Sequence, residues 1–121
     1  MPSANHTEVG RAGEAAVAAH LVDLGWAVLD RNWHGAHGEL DIVAVSGDTV
    51  VFVEVKARRG PYLDEAFARV DRRKQAALAL TVEDYLEAHG LHDVAWRIDV
   101  IAVRLSDGLP EFAHAQDALL W

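Results

Sequence analysis

Cysteine is absent from the 121 residues, which excludes a disulfide framework and any thiolate metal site and fits a reducing compartment. The stretch Met1 to Thr7 lacks the basic start and apolar run of a signal peptide, and no segment reaches the run of about 18 apolar residues that a membrane span requires. A cytoplasmic protein without membrane contact is expected. There is no internal repeat, low-complexity tract or linker, and Gly and Pro fall singly between periodic segments. One domain over residues 1–121 is therefore expected, since a 51% hydrophobic content suffices for one packed core. The chain also lacks a Gly-rich phosphate loop followed by Lys-Ser/Thr and a serine-nucleophile motif, so ATP hydrolysis and acyl transfer drop out of the candidate chemistries.

Positive charge is scarce as well: 11 Lys and Arg face 19 Asp and Glu, for a net charge of -8. That balance argues against a protein that coats nucleic acid through bulk electrostatics, because non-specific binding comes mainly from cations neutralising phosphates. The distribution is uneven, however. Lys56, Arg58, Arg59, Arg69, Arg72, Arg73 and Lys74 all fall between positions 56 and 74, interrupted only by the acids Asp64, Glu65 and Asp71. This is a basic patch on an acidic body, either a solvated loop and helix face or a track for a phosphate backbone.

What is present reads as alternating helices and strands. Val17, Leu21 and Leu24 share helical spacing over about residues 8–24, with Thr7 as N-cap and Gly25 as C-terminal cap. Trp26 to Leu29 is a short strand, and Arg31 to Gly38 a loop whose His34 and His37 lack the third ligand of a zinc site and read as surface residues. A second helix runs from Asp64 or Asp71 to His89 with Leu78, Val82, Tyr85 and Leu86 as its apolar stripe, ended by Gly90. Lys74 and Gln75 extend that stripe toward the helix start and could point at phosphate. Trp96 to Arg104 alternates as a strand, with Arg97 and Asp99 on one face as a structural ion pair. The order implies an α/β fold, a mixed β-sheet with flanking helices.

Between the helices, Glu39–Val45 and Val50–Arg58 form a hairpin around Gly47-Asp48, so that each cross-strand pair sums to 95 in residue number. One face then pairs Leu40 with Val55, Ile42 with Val53 and Ala44 with Val51. The other pairs Val45 with Val50, Val43 with Phe52, Asp41 with Glu54 and Glu39 with Lys56. Two carboxylates opposed across a ladder should repel. A hard cation such as Mg²⁺ would relieve the conflict, and Lys56 on the same face could orient a water or steady a phosphate. These are the parts of a phosphodiester-cleaving site. Glu14 lies three residues before Val17 on the apolar stripe, where it either joins that cluster or sits at the helix edge beside Arg11.

Gly10-Arg11-Ala12-Gly13-Glu14, Gly38-Glu39-Leu40-Asp41-Ile42-Val43 and Phe52-Val53-Glu54-Val55-Lys56-Ala57-Arg58 resemble the YraN family of small bacterial proteins. Asn32-Trp33, Lys74-Gln75, Tyr85-Leu86, Arg97-Ile98-Asp99-Val100 and His114 to Ala118 extend the resemblance over nearly the whole chain. The family is similar to Holliday-junction resolvases within the PD-(D/E)XK nuclease superfamily. The resemblance implies a restriction-endonuclease-like core, with Glu14, Asp41 and Glu54 as metal-site carboxylates and Lys56 as the catalytic lysine. It further implies Mg²⁺, with Mn²⁺ as substitute, and a nucleic-acid substrate, DNA in the first instance and branched DNA in particular. Arg58, Arg59, Arg69, Arg72, Arg73, Lys74 and Gln75 would carry the backbone past the site. A homodimer would suit a four-way junction, since two cuts need two sites. The chain departs from the family pattern after Arg58, where Pro61-Tyr62-Leu63 stand in place of a Phe-Gly pair. Two rival readings are a catalytically silent nucleic-acid-binding module and a protein-interaction domain.

Overall fold

The structure, a computed structural model, describes residues 4–60 and 72–118, with side chains described from residues 8 and 73 onward in the two stretches. The elements are α1 (Ala4–Asp23), β1 (Ala27–Gly35), β2 (Gly38–Ser46), β3 (Thr49–Arg59), α2 (Arg72–Ala88), β4 (Ala95–Leu105) and β5 (Glu111–Ala115). The strands lie in sequence order in one sheet. Neighbours run antiparallel except β3 and β4, which are parallel and connected across α2. The result is the expected α/β fold, a mixed sheet with flanking helices consistent with a restriction-endonuclease-like core.

Each helix covers one sheet face. Val17 and Leu21 of α1 pack on Ile42, Ala44, Val51, Val53, Ile101 and Val103. On the other face Leu78, Val82 and Tyr85 of α2 pack on Leu40, Val43, Val50, Phe52 and Ile98. Both helices end in the Schellman arrangement that their glycines predict. Trp26 N–H reaches Leu21 C=O and Gly25 N–H reaches Val22 C=O, while Leu91 N–H and Gly90 N–H do the same at Leu86 and Glu87. Gly25 and Gly90 carry the positive φ that this motif demands, +87° and +65°.

Several expectations are corrected. Helix α1 begins at Ala4, so Thr7 lies inside it and is not its N-cap. Leu24 is half exposed, because the helix has already ended when the chain reaches it. The loop expected at Arg31–Gly38 is mostly strand: β1 continues to Gly35, with a register shift between Val28 and Asp30 and a left-handed Asn32. Those irregularities and the exposed polar side chains of an edge strand hide its alternation. β5 is a strand beyond those that the sequence periodicity implies. The second helix is described over Arg72–Ala88, and its expected start at Asp64 or Asp71 lies, with Arg69 and Pro61-Tyr62-Leu63, outside the described residues.

One contact fixes how close α1 sits to the sheet. A Cβ on Gly13 would fall 2.3 Å from the Ala57 Cβ and 3.2 Å from Val103 Cγ1, so helix and strand meet backbone to backbone. Gly13→Ala should gain about 1 kcal/mol of helix propensity, yet the overpacking should cost about 1–3 kcal/mol. The variant is expected to melt below wild type in a thermal denaturation, whereas Gly10→Ala, where a Cβ meets nothing within 4 Å, should melt at or above it.

Candidate active site

The hairpin register holds from Ser46↔Thr49 to Ile42↔Val53, five pairs that each sum to 95. Only Gly47 of the two turn residues has positive φ, +59°, as a turn with Gly in its first position requires. Beyond Ile42 the ladder stops. Asp41 Oδ2 accepts a hydrogen bond from Val55 N–H at 2.8 Å, so a carboxylate stands where a β2 carbonyl would otherwise receive that donor. The expected ladder pairs of Leu40 with Val55, Asp41 with Glu54 and Glu39 with Lys56 are therefore not formed. Leu40 crosses to the α2 face, among Val43 and Phe52, instead of sharing a face with Ile42.

The divergence opens a cavity of about 320 Å³ between β2, β3 and α2, lined by His37, Gly38, Glu39, Asp41, Glu54, Lys74, Ala77, Leu78 and Thr81. Asp41 and Glu54 thus meet in one cavity, as expected, though by a different route. Burial, the Glu54 charge and more weakly the Glu14 charge raise the Asp41 pKa from 3.8 to about 7, against the lowering effects of the Val55 hydrogen bond and Lys74. Glu54 is almost completely buried, and its Oε1 forms an ion pair with Lys74 Nζ from the first turn of α2. Glu14 is half-buried; desolvation raises its pKa, a hydrogen bond with Asn32 lowers it, and the charges of Glu39 and Glu54 add to the rise. Among the described residues no three His, Asp or Glu side chains gather closely enough to hold a metal ion by themselves.

The remaining candidates separate. Lys56 is half-buried, and strand alternation sets it on the Phe52–Glu54 face. The lysine that lines the cavity is Lys74. Arg58 shares the Lys56 face, whereas Arg59 turns to the other side and lines a second cavity of about 430 Å³ with Ala12, Gly60, Leu105, Ser106 and Asp107. Among the described residues the sheet thus separates Arg59 from Lys56 and Arg58. Arg73 is exposed and Gln75 half-buried on α2, while the Arg72 side chain lies outside the described residues.

His34 is a surface residue 3.9 Å from Glu39, as expected. His37 is likewise exposed, as expected, and it also lines the cavity, with Nδ1 2.7 Å from Asp84 Oδ2. The tight turn from β1 to β2 brings it there, and nothing in the local alternation marks that turn. The Arg97–Asp99 pair forms at 3.0 Å, and Asp99 also accepts from Asp117 N–H at 2.9 Å and contacts His114 Nε2 at 2.8 Å. Burial opposes ionisation of Asp99, but these partners outweigh it and hold its pKa below the usual value.

The model of a family described as "Uncharacterised protein family UPF0102" matches residues 13–103, a span that includes Glu14, Asp41, Glu54, Lys56 and Lys74. The chain belongs to this family, the one that the YraN resemblance indicates. It is 36% identical over 116 residues to a UPF0102 protein of Rhodococcus jostii, covering 95% of this chain and 98% of that one. A UPF0102 protein of Stutzerimonas stutzeri is 44% identical over 99 residues, covering 78% and 79%. One of Chloroflexus aurantiacus is 41% identical over 101 residues, covering 83% and 82%. Among the described residues no helix is long and apolar enough to cross a membrane.

The raised pKa of Asp41 has a measurable consequence. The folded state holds a proton that the unfolded chain has released between pH 3.8 and about 7, so stability falls as pH rises through that window. Asp99, shifted downward, contributes stability that is lost only as pH falls below the usual Asp range. In metal-free buffer Asp41→Asn should therefore melt above wild type at pH 8, by the equivalent of at least about 1 kcal/mol, and the gap should close at pH 4. Thermal melts at both pH values check it; an equal gap at both would assign the difference to something other than ionisation.

Proposed function

We propose that this chain is a metal-dependent endonuclease that hydrolyses phosphodiester bonds in nucleic acid, with DNA as the expected substrate and branched DNA as the first class to try. The observation that carries this reading is the pair Asp41 and Glu54, two acids that repel one another across a solvent-open cavity beside the end of a hairpin. Such a conflict costs stability, and its presence supports the reading of a functional site. The donor set fits a hard divalent cation: two carboxylates meet in one concavity, and Glu54 already carries a cation in Lys74. Asp41 and Glu54 would hold Mg²⁺, with Glu14 assisting. When bound, the ion would supply Lewis acidity to a phosphoryl oxygen and acidify a water.

The chain's own residues supply the rest. The Val55 N–H fixes the Asp41 carboxylate, so this ligand is positioned before anything binds. Lys56, on the Glu54 face of β3, would bring positive charge to the attacking water or the non-bridging oxygen. Arg73, exposed on α2, would hold the phosphate backbone beside the cavity. The silent nucleic-acid-binding module remains the second reading, favoured by the Lys74–Glu54 ion pair and by the lack of a three-ligand cluster among the described residues.

A cleavage panel of single-stranded, duplex, flap and four-way DNA and RNA, in Mg²⁺ or Mn²⁺ against EDTA, tests the reading. Metal-dependent cleavage of at least one substrate is expected, and Lys56→Ala should abolish it while keeping a wild-type circular dichroism spectrum. Binding without cleavage under every condition would select the silent module. Arg72→Ala with Arg73→Ala should weaken binding equally across sequences and flatten the log–log salt dependence by about 0.9 per lost phosphate contact, which fluorescence anisotropy across a salt series will measure.

A further inference from the structure

Lys74 is the third residue of α2, and with Ala77, Leu78 and Thr81 it forms the stripe of the helix that walls the cavity. The two members of its ion pair differ greatly in freedom. The Glu54 side chain is 5% exposed and anchored on a central strand, whereas the Lys74 side chain is 53% exposed on a flexible four-carbon stem. Glu54 therefore cannot follow a departing partner into water, but Lys74 can leave. A buried carboxylate needs a cation beside it, and Lys74 also acts on Asp41, whose ionisation it favours. One ammonium thus serves both acids of the cavity.

Resting on the metal-dependent reading above, we infer that Lys74 is a tethered counter-ion of the Asp41–Glu54 pair, which holds Glu54 in the metal-free protein and must be displaced into solvent before a small divalent cation can enter. Lysine and metal compete for one carboxylate, so each weakens the other's hold by the same factor. The lysine keeps the empty cavity from carrying two uncompensated acids. Its release makes metal entry and movement at the start of α2 a single event.

The test compares wild type, Lys74→Met and Lys74→Arg. Lys74→Met removes the charge while keeping the length of the side chain, so it should bind Mg²⁺ more tightly by about fivefold or more, the lower end of the usual coupling between linked sites, in isothermal titration calorimetry. Its metal-free form should melt below wild type, and Lys74→Arg should restore both values toward wild type. In wild type, acylation of the Lys74 amine, followed by peptide mass spectrometry, should accelerate several-fold when Mg²⁺ saturates the protein. Equal Mg²⁺ affinity in all three proteins, weaker affinity in Lys74→Met, or acylation indifferent to bound Mg²⁺ would overturn the inference and leave the metal-dependent reading standing. Absence of Mg²⁺ and Mn²⁺ binding in every variant would overturn both.

Discussion

The hydrogen bond from Val55 N–H to Asp41 Oδ2 is the contact on which the candidate site depends. By accepting a donor that the β2 backbone would otherwise take, Asp41 ends the antiparallel ladder at Ile42 and lets β2 lean away from β3. Leu40 is thereby delivered to the α2 side of the sheet, and the wedge between the strands becomes the cavity that Asp41 and Glu54 line. The same bond pins the carboxylate where burial and Glu54 oppose its charge. Strand geometry and acid chemistry at this point have one cause.

Two aspartates show how the fold separates structure from chemistry. Asp99 is fully buried and engages Arg97, His114 and Asp117 N–H, and its pKa falls. Trp26 adds to that arrangement, edge-on to His114 with ring centroids 5.6 Å apart and 5.5 Å beneath the Arg97 guanidinium, so the exit of α1 is tied to β4 and β5. Asp41 is only half-buried and receives one backbone donor, and its pKa rises. Satisfied partners rigidify the first site. At the second, burial and the Glu54 charge outweigh the Val55 donor and Lys74, which leaves a demand for further positive charge.

Much of this could be read from the residues because it rests on local periodicity. The register through Gly47-Asp48, the Val17–Leu21 stripe, the Leu78–Val82–Tyr85 stripe, both glycine caps and the Arg97–Asp99 pair follow from spacing and turn chemistry. The rest depends on tertiary choices. A side chain that replaces a ladder acceptor at Asp41 leaves no trace in the alternation of Leu40, Asp41 and Ile42. Edge strand β1 mixes polar residues with a bulge, and β5 is five residues long with Phe112 as its one large apolar side chain, so neither announces itself. Lys74 extends the α2 stripe by spacing alone, but its partner on β3 follows only from the seating of α2 on the sheet. Arg58 and Arg59 looked like one patch because adjacent strand residues, which point to opposite faces, are neighbours in a linear reading.

The parallel pairing of β3 with β4 also orders events in time. The β2–β3 hairpin closes a loop of two residues, which is among the fastest steps a chain can make, whereas β4 can join β3 only after the whole crossover through α2 has been gathered in. Asp41 and Glu54 therefore come together early, on a ribbon still open to water that screens their charges. Their repulsion grows as α2 descends and displaces water from one side of the cavity, and the same descending helix carries Lys74. Burden and remedy arrive on one element, so the helix that encloses the two acids also brings their counter-charge.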